Sequence, residues 1–530
     1  MTRSITLLLL AVFALTASLP AQAALDATQV RALAAEDSSD KVVAIRQLTQ
    51  TADPDALRVL KAMSEDNLYL AGERAVIIDG ERAFDAASGE AIRMPASPEA
   101  VTVNNRIRGE LAGALAALKL FDAERDVRLA SAQKLQSKVS ADMAPLLARA
   151  LEKESDGEIR ALLTLAHAQA SLGNADPAVR LGAVRALAET TSPAIKAVLL
   201  PLTEKAGEPD DRVRYEAIAA VKSIDGRLAL AENAGRIFSG LSLGSILLLA
   251  ALGLAITYGV MGVINMAHGE LLMIGAYSTY AVQTLFRNYF PEAIDWYLPA
   301  AIPVAFFVAA AVGVLMERTV IRWLYGRTLE TLLATWGISL VLIQAARVLF
   351  GAQNVEVANP SWMSGGIELL PNLMLPWNRI VIVGFALFVL LLVWGLMNRT
   401  RLGMFVRAVT QNRAMAGCVG VPTARIDTLA FALGAGIAGL GGVALSQISN
   451  VGPDMGQGYI VDSFMVVVLG GVGQLAGTVW AALGLGIVSK LLEGWVGAVI
   501  AKIAVLVFII VFIQKRPQGI FALKGRFVDN

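Results

Sequence analysis

A single cysteine, Cys418, and two histidines, His167 and His268, exclude a disulfide framework and any cluster with zinc, haem or iron–sulfur spacing. Charge is scarce too: 17% of the 530 residues are Asp, Glu, Lys or Arg, against 56% hydrophobic, and the mean hydropathy is +0.59. A soluble protein of this size is not that apolar, so much of the chain faces something other than water. The sequence contains no G-x-x-x-x-G-K-[ST] phosphate loop and no nucleophile constellation, so neither ATP hydrolysis by that route nor hydrolase chemistry is expected of it, and it reads as a non-enzyme. No basic, aromatic-interleaved tract suggests a nucleic-acid partner.

What charge there is divides the chain. Residues 24–235 hold 26 Lys/Arg against 32 Asp/Glu, and residues 236–530 hold 18 against 12. Ahead of both, Arg3, the apolar run 5–15 and Ala21-Gln22-Ala23 read as a secretory signal over residues 1–23. Residues 24–235 are then an exported domain. Its Ala/Leu-rich, 3.6-period pattern predicts a helical array, and a pattern V-R-x-x-small-x-x-x-apolar recurs at Val127-Arg128, Val179-Arg180 and Val213-Arg214. Ser131 and Leu135, Ala183 and Leu187, and Ala217 and Val221 occupy its later positions, and Asp126, Asp176 and Asp211 supply helix-start signals. Such units stack as HEAT-like solenoids, although separations of 52 and 34 residues are irregular. Between Arg74 and Arg93, Val76-Ile77-Ile78 and the turn Asp79-Gly80 predict a β-hairpin.

From position 237 onward, apolar stretches recur at 237–260, 261–286, 297–316, 329–350, 379–397, 426–449, 459–492 and 496–513. Most are long enough to cross about 30 Å of hydrocarbon as helices. Arg318, Arg322 and Arg327 lie in one loop and Arg399, Arg401, Arg407, Arg413 and Arg425 in another, whereas 351–378 and 450–458 contain no Lys or Arg. The positive-inside rule puts the first two loops in the cytoplasm. Eight crossings that begin outside would also strand the basic tail (Lys515, Arg516, Lys524, Arg526) outside. The stretch 459–492, interrupted by GGVGQLAG, is the place for a ninth passage as two short helices. The expected fold is therefore all-α: a polytopic membrane domain of about eight or nine passages, over residues 236–530, behind a helical exported domain.

Polar groups inside apolar stretches mark the candidate sites. Asn265, His268 and Glu270 open the second stretch, and their donors and acceptors suit a small polar solute; capping of a helix end explains them equally well. Asp462 and Ser463 head the interrupted stretch and Gln474 lies in its break, where half-helix ends can meet a solute; Gly-mediated packing is the alternative, and Gly434, Gly436, Gly439, Gly441 and Gly442 are read as packing outright. Residues 407–420 read as a short basic amphipathic helix ended by Gly417 and Gly420, lying on lipid or docked into a partner.

Three stretches in order, GVINMAHGELLMIGAY (262–277), RAVTQNRAMAGCVG (407–420) and FMVVVLGGVGQLAG (464–477), resemble the signature regions of the branched-chain amino-acid permease family of ABC importers. That resemblance implies a translocation subunit that pairs with a second homologous permease. Its further partners would be a periplasmic substrate-binding protein, two cytoplasmic ATP-binding subunits that use the ATP, and membrane lipid, with no cofactor held by this chain. It also implies that residues 407–420, with Arg407, Asn412, Arg413, Gly417 and Gly420, form the element that couples to an ATPase. Within the family, a signal-like start followed by a long exported extension resembles the urea-importing members.

Overall fold

The computed structural model describes residues 25–521 apart from positions 52, 137, 138 and 371. The signal-peptide reading of residues 1–23, and Lys524 and Arg526, lie outside the described residues. The chain forms two compact units that divide between Leu228 and Ala229.

The first unit is a helical array. Helices α1 (Ala27–Ala32), α2 (Ser38–Thr51) and α3 (Pro54–Ser64) precede a small sheet; α4 (Asn105–Leu118), α5 (Arg125–Leu135), α6 (Ala144–Lys153), α7 (Gly157–Ser171), α8 (Pro177–Ala188) and α9 (Pro193–Leu199) follow it. The hairpin predicted from Asp79-Gly80 is present as β2 (Arg74–Asp79) and β3 (Arg82–Asp85), with Gly80 at φ +59°. It belongs to something larger, an antiparallel five-stranded sheet in the order β4-β3-β2-β1-β5, with β1 Leu68–Ala71, β4 Ala91–Ile92 and β5 Glu99–Ala100. Leu68, Ala75 and Ile77 bury one face of it in the core of α1 to α4.

The repeat pattern does its expected work. Ser131, Leu135, Ala183, Leu187, Ala217 and Val221 are all buried. The arginine of the pattern has a role that the pattern did not reveal. Arg128 donates to the Glu154 carboxylate and to the Asp122 and Ala123 carbonyls, and Arg180 repeats this with Glu208 and the Asn174 and Ala175 carbonyls. Each arginine thereby ties the chain entering its own helix to the next helical unit. Of the three acidic start signals only Asp176 caps as expected, accepting from Ala178 N at 2.8 Å; Asp126 and Asp211 already lie inside their helices.

Glu208 is 1% exposed and meets Arg180 in a two-pronged bridge of 2.7 and 2.8 Å. The Arg180 hydrogen bonds hold the Glu208 carboxyl below its usual range against the opposing effect of burial, and Arg128 does the same for Glu154. A carboxylate with a lowered folded pKa stabilises above the unfolded value of about 4.3 and loses that contribution as the pH falls through the folded value. The first unit is therefore expected to unfold in acid below about pH 4. Glu208→Gln is expected to cost about 2 kcal/mol at neutral pH and to flatten that acid limb; circular dichroism against pH and denaturant checks both.

The second unit is built on nine helices among the described residues: α10 (Asp211–Met261, which begins in the first unit), α11 (His268–Tyr289), α12 (Tyr297–Thr319), α13 (Thr328–Phe350), α14 (Trp377–Arg399), α17 (Thr423–Ser446), α18 (Met455–Gly470), α19 (Leu475–Val496) and α20 (Ala498–Lys515). Seven helical segments are long and apolar enough to cross a membrane, and α18 is a shorter apolar helix. The stretch 459–492 is divided as its glycines suggest: α18 and α19 are separate, with Gly471 and Gly473 at φ +99° and +77° between them. A Cβ on Gly477 would lie 1.9 Å from the Gly470 carbonyl oxygen, so the two helices touch backbone to backbone. The short helices α15 (Arg401–Gln411) and α16 (Arg413–Cys418) join α14 to α17, and a two-stranded hairpin, Gly366–Leu370 with Leu373–Pro376, precedes α14.

The centre of this unit is α17, buried almost throughout from Ile426 to Ser446. Its glycines are where neighbours approach most closely. A Cβ on Gly434 would meet the Gly253 carbonyl at 2.6 Å, one on Gly439 the Ala305 carbonyl at 2.8 Å, and one on Gly442 the Leu272 carbonyl at 2.0 Å. These glycines do serve packing.

Candidate translocation and coupling sites

Between α10 and α11 the chain unwinds. The sequence pattern runs on without a loop, but residues 262–267 are not helical, with Gly262 at φ +65°, and α11 starts at His268. Met266 is therefore outside the helix and shares no helical face with Gly269 and Glu270. The far end of the break lies deep. Ser339 Oγ donates to Glu270 Oε1 at 2.7 Å, and Ser339 stands at the midpoint of Thr328–Phe350, a helix about 35 Å long at 1.5 Å per residue. His268 and Glu270 thus meet mid-helix positions of α10 and α13, whereas the break itself begins at Met261, whose sulfur accepts from the Tyr325 hydroxyl at 3.0 Å. Discontinuous helices of this kind are tolerated where protein surrounds the freed backbone.

Asn265, His268 and Glu270 are no more than 1% exposed. Asn265 Oδ1 accepts from Ala267 N at 3.0 Å and fixes the turn into α11. His268 Nε2 lies 2.9 Å from the Ala250 carbonyl. A carbonyl only accepts, so Nε2 carries a proton, and when the ring is neutral Nδ1 offers a lone pair. Asn265 Nδ2, His268 Nδ1 and Glu270 Oε2 have no hydrogen-bond partner among the described residues. One donor and two acceptors are left open within six residues of chain. Thr335 Oγ1 anchors the unwound strand by accepting from Met266 N at 3.1 Å. The sequence reading missed Thr335 and Ser339, and the signal was there: Thr331, Thr335 and Ser339 form an i, i+4, i+8 polar stripe on an apolar helix.

The second constellation lies elsewhere. Gly456 and Ile460 of α18 pack on Gly269, but Asp462 turns to α20, where Lys502 Nζ meets its Oδ2 at 3.3 Å. Ser463 is fully buried and donates back to the Tyr459 carbonyl at 2.7 Å. Gln474 sits at the N-cap of α19, where its backbone carbonyl accepts from Thr478 Oγ1. Among the described residues no hydrogen bond or ion pair joins these three to Asn265, His268 or Glu270. Lys502, the partner of Asp462, was not foreseen; a lone lysine in an apolar helix was its signal.

The candidate coupling element is two helices, not one. Asn412, at φ −152° and ψ 99°, breaks it, and its side chain caps α16 by accepting from Met415 N at 2.9 Å. Arg407 Nη1 donates to the Met397 carbonyl at 2.6 Å, which folds α15 back on α14. Gly420, at φ +88°, ends the element in a conformation that suits glycine. Arg413 points inward to the fully buried Asp427, with its guanidinium 5.1 Å from the Tyr325 ring centre. Its exposed apolar side chains include Met404, Met415 and Val419, 52%, 60% and 71% exposed, beside exposed Arg407 and Gln411, with Gly417 next to open space.

Apolar helices of membrane-crossing length, two of them separated from their neighbours by glycine-bearing breaks, define a polytopic helical membrane protein. The profile of the family described as branched-chain amino acid transport system / permease component matches residues 236–514. The chain belongs to that family. Its relatives include the high-affinity branched-chain amino acid transport system permease protein BraD of Pseudomonas aeruginosa, 28% identical over 54% of this chain and 94% of BraD, and LivH of Escherichia coli K12, 30% identical over 54% and 94%. The ribose import permease protein RbsC of E. coli K12 is 32% identical over 22% of this chain and 42% of its own. No solved structure gives a significant match.

Proposed function

We propose that this chain is the permease subunit of an ATP-driven importer for urea in a bacterial inner membrane, with its first unit in the periplasm. It works with a second homologous permease, two cytoplasmic ATP-binding subunits and a periplasmic substrate-binding protein. The observation that carries the solute assignment is the set of open polar atoms at mid-depth, Asn265 Nδ2, His268 Nδ1 and Glu270 Oε2. Urea is small and neutral and both donates and accepts, so such a set answers it without a charged trap. Asp462, Ser463 and Gln474 contribute polar groups further along the same pathway. Residues 401–420 dock into an ATPase through Met415 and Val419, with Arg407, Asn412, Gly417 and Gly420 shaping the element. Exposed apolar side chains on a short amphipathic element fit a protein groove, which a passive channel would not require.

Transport of a branched-chain amino acid is the second reading, favoured by the 28–30% identity to BraD and LivH. Uptake of radiolabelled urea by cells with and without this gene, with leucine as competitor, separates the two. Urea uptake that depends on the gene and ignores leucine is expected. Gene-dependent leucine uptake without urea uptake overturns the urea assignment.

A further inference from the structure

Two carboxylates with no exposure at all, Glu317 near the end of α12 and Asp427 near the start of α17, sit on different apolar helices. Each is answered by an arginine from a different connecting segment. Arg322 donates from Nε and Nη2 to the two oxygens of Glu317, both at 3.2 Å, and Arg413 pairs with Asp427. Two further side chains join these pairs into one network. Thr428 Oγ1 donates to Glu317 Oε2 at 2.8 Å and accepts from Arg322 Nη2 at 3.0 Å. Tyr325 donates to Glu317 Oε1 at 3.2 Å while its ring lies under Arg413. Burial, then the carboxylates of Asp427 and Glu317, push the Tyr325 phenol up from its ordinary pKa, so it stays a donor.

Helix α16 has six residues, and Ala416 is its buried one. So short a helix has little apolar surface with which to hold its place. Its attachment to α17 runs through Arg413 and the chain after Gly420. Helix α17 in turn packs on α11 and α12.

The geometry points to Arg413, Asp427, Arg322, Glu317 and Tyr325 as a positioning network that carries displacement of residues 401–420 into α17 and α12. This rests on the reading of residues 401–420 as the ATPase-docking element. Charge-assisted, two-pronged bonds with buried carboxylates fix direction as well as distance, which apolar contact does not. A force on α16 therefore moves the ends of α12 and α17 together.

The test uses the assembled importer in proteoliposomes. Co-purification of the ATPase, ATP hydrolysis, and accumulation of radiolabelled urea and leucine are measured together. Arg413→Gln and Tyr325→Phe are expected to keep ATPase co-purification and hydrolysis while solute imported per ATP falls about tenfold and about threefold. Exchanging the pair, Arg413→Asp with Asp427→Arg, is expected to recover at least half of the lost ratio. Tyr325→Phe removes a single oxygen, so it tests the network even if a charge variant fails to assemble. An unchanged solute-to-ATP ratio in both single variants overturns the inference, as does loss of ATPase co-purification in Arg413→Gln, which would make Arg413 a docking contact. Val419→Asp tests the underlying reading separately: if the ATPase still co-purifies, residues 401–420 are not the docking element, whatever the network variants do.

Discussion

Gly442→Leu is expected to abolish accumulation of folded protein, more than tenfold below wild type by size-exclusion chromatography of detergent extracts. A Cβ alone at this position would lie 2.0 Å from the Leu272 carbonyl oxygen and 2.7 Å from Ala276 N, so it would collide with the backbone of α11. No side chain there can turn aside, and relief requires the two helices to separate. Separation is blocked one turn earlier, where Gly275 and Gly439 approach just as closely: a Cβ on Gly275 would be 2.0 Å from the Gly439 carbonyl. Overpacking a well-filled core costs about 1–3 kcal/mol when side chains can shift, and backbone contact on both sides puts this case above that range. Gly384→Leu is the control, because nothing lies within 4 Å of a Cβ at Gly384. It is expected to accumulate normally. Normal accumulation of Gly442→Leu would mean that α11 and α17 do not pack as described.

Much of this architecture was legible because membrane helices announce themselves. The division of residues 459–492 followed from a run too long for one crossing with four glycines in its GGVGQLAG interruption, and glycine is what the break needs at φ +99° and +77°. The break between α10 and α11 was not legible, since VMGVINMAHG contains no proline and apolar residues continue through it. Only Gly262 and Asn265 hinted at unwinding. The five-stranded sheet was read as a hairpin because its outer strands have two residues each and Leu68–Ala71 continues a helical pattern. The ends of the polar network escaped for another reason. Glu317 and Thr428 are 111 positions apart, and no spacing rule joins residues that meet only when two helices pack. Arg413 read as a surface cation because its loop is basic, whereas the carboxylate that draws it inward lies 14 positions on, past a turn.

Glu270→Leu is expected to lower uptake roughly 30- to 100-fold per inserted molecule, and Glu270→Gln only a few-fold. The carboxylate is 1% exposed; Ser339 occupies Oε1 and Oε2 has no partner among the described residues. Leucine removes the acceptor for Ser339 and the open acceptor together. With each bond worth about 1.0–1.4 kcal/mol net, two lost contacts amount to about that range. Glutamine keeps the shape and an acceptor for Ser339 and exchanges the open acceptor for a donor, which a solute carrying both functions can still meet by turning over. Asp462→Leu is expected to fall in the same direction but by less than Glu270→Leu. Asp462 is partly exposed and faces Lys502 at 3.3 Å, so Asp462→Asn, which retains an acceptor for Lys502, is expected to transport nearly normally. Uptake is normalised to the amount of each variant that elutes as folded protein, and the substrate-binding protein's own affinity serves as the unchanged reference. If the leucine variants at Glu270 and Asp462 both insert and transport at wild-type rates, these carboxylates hold the helix breaks together and the solute passes elsewhere.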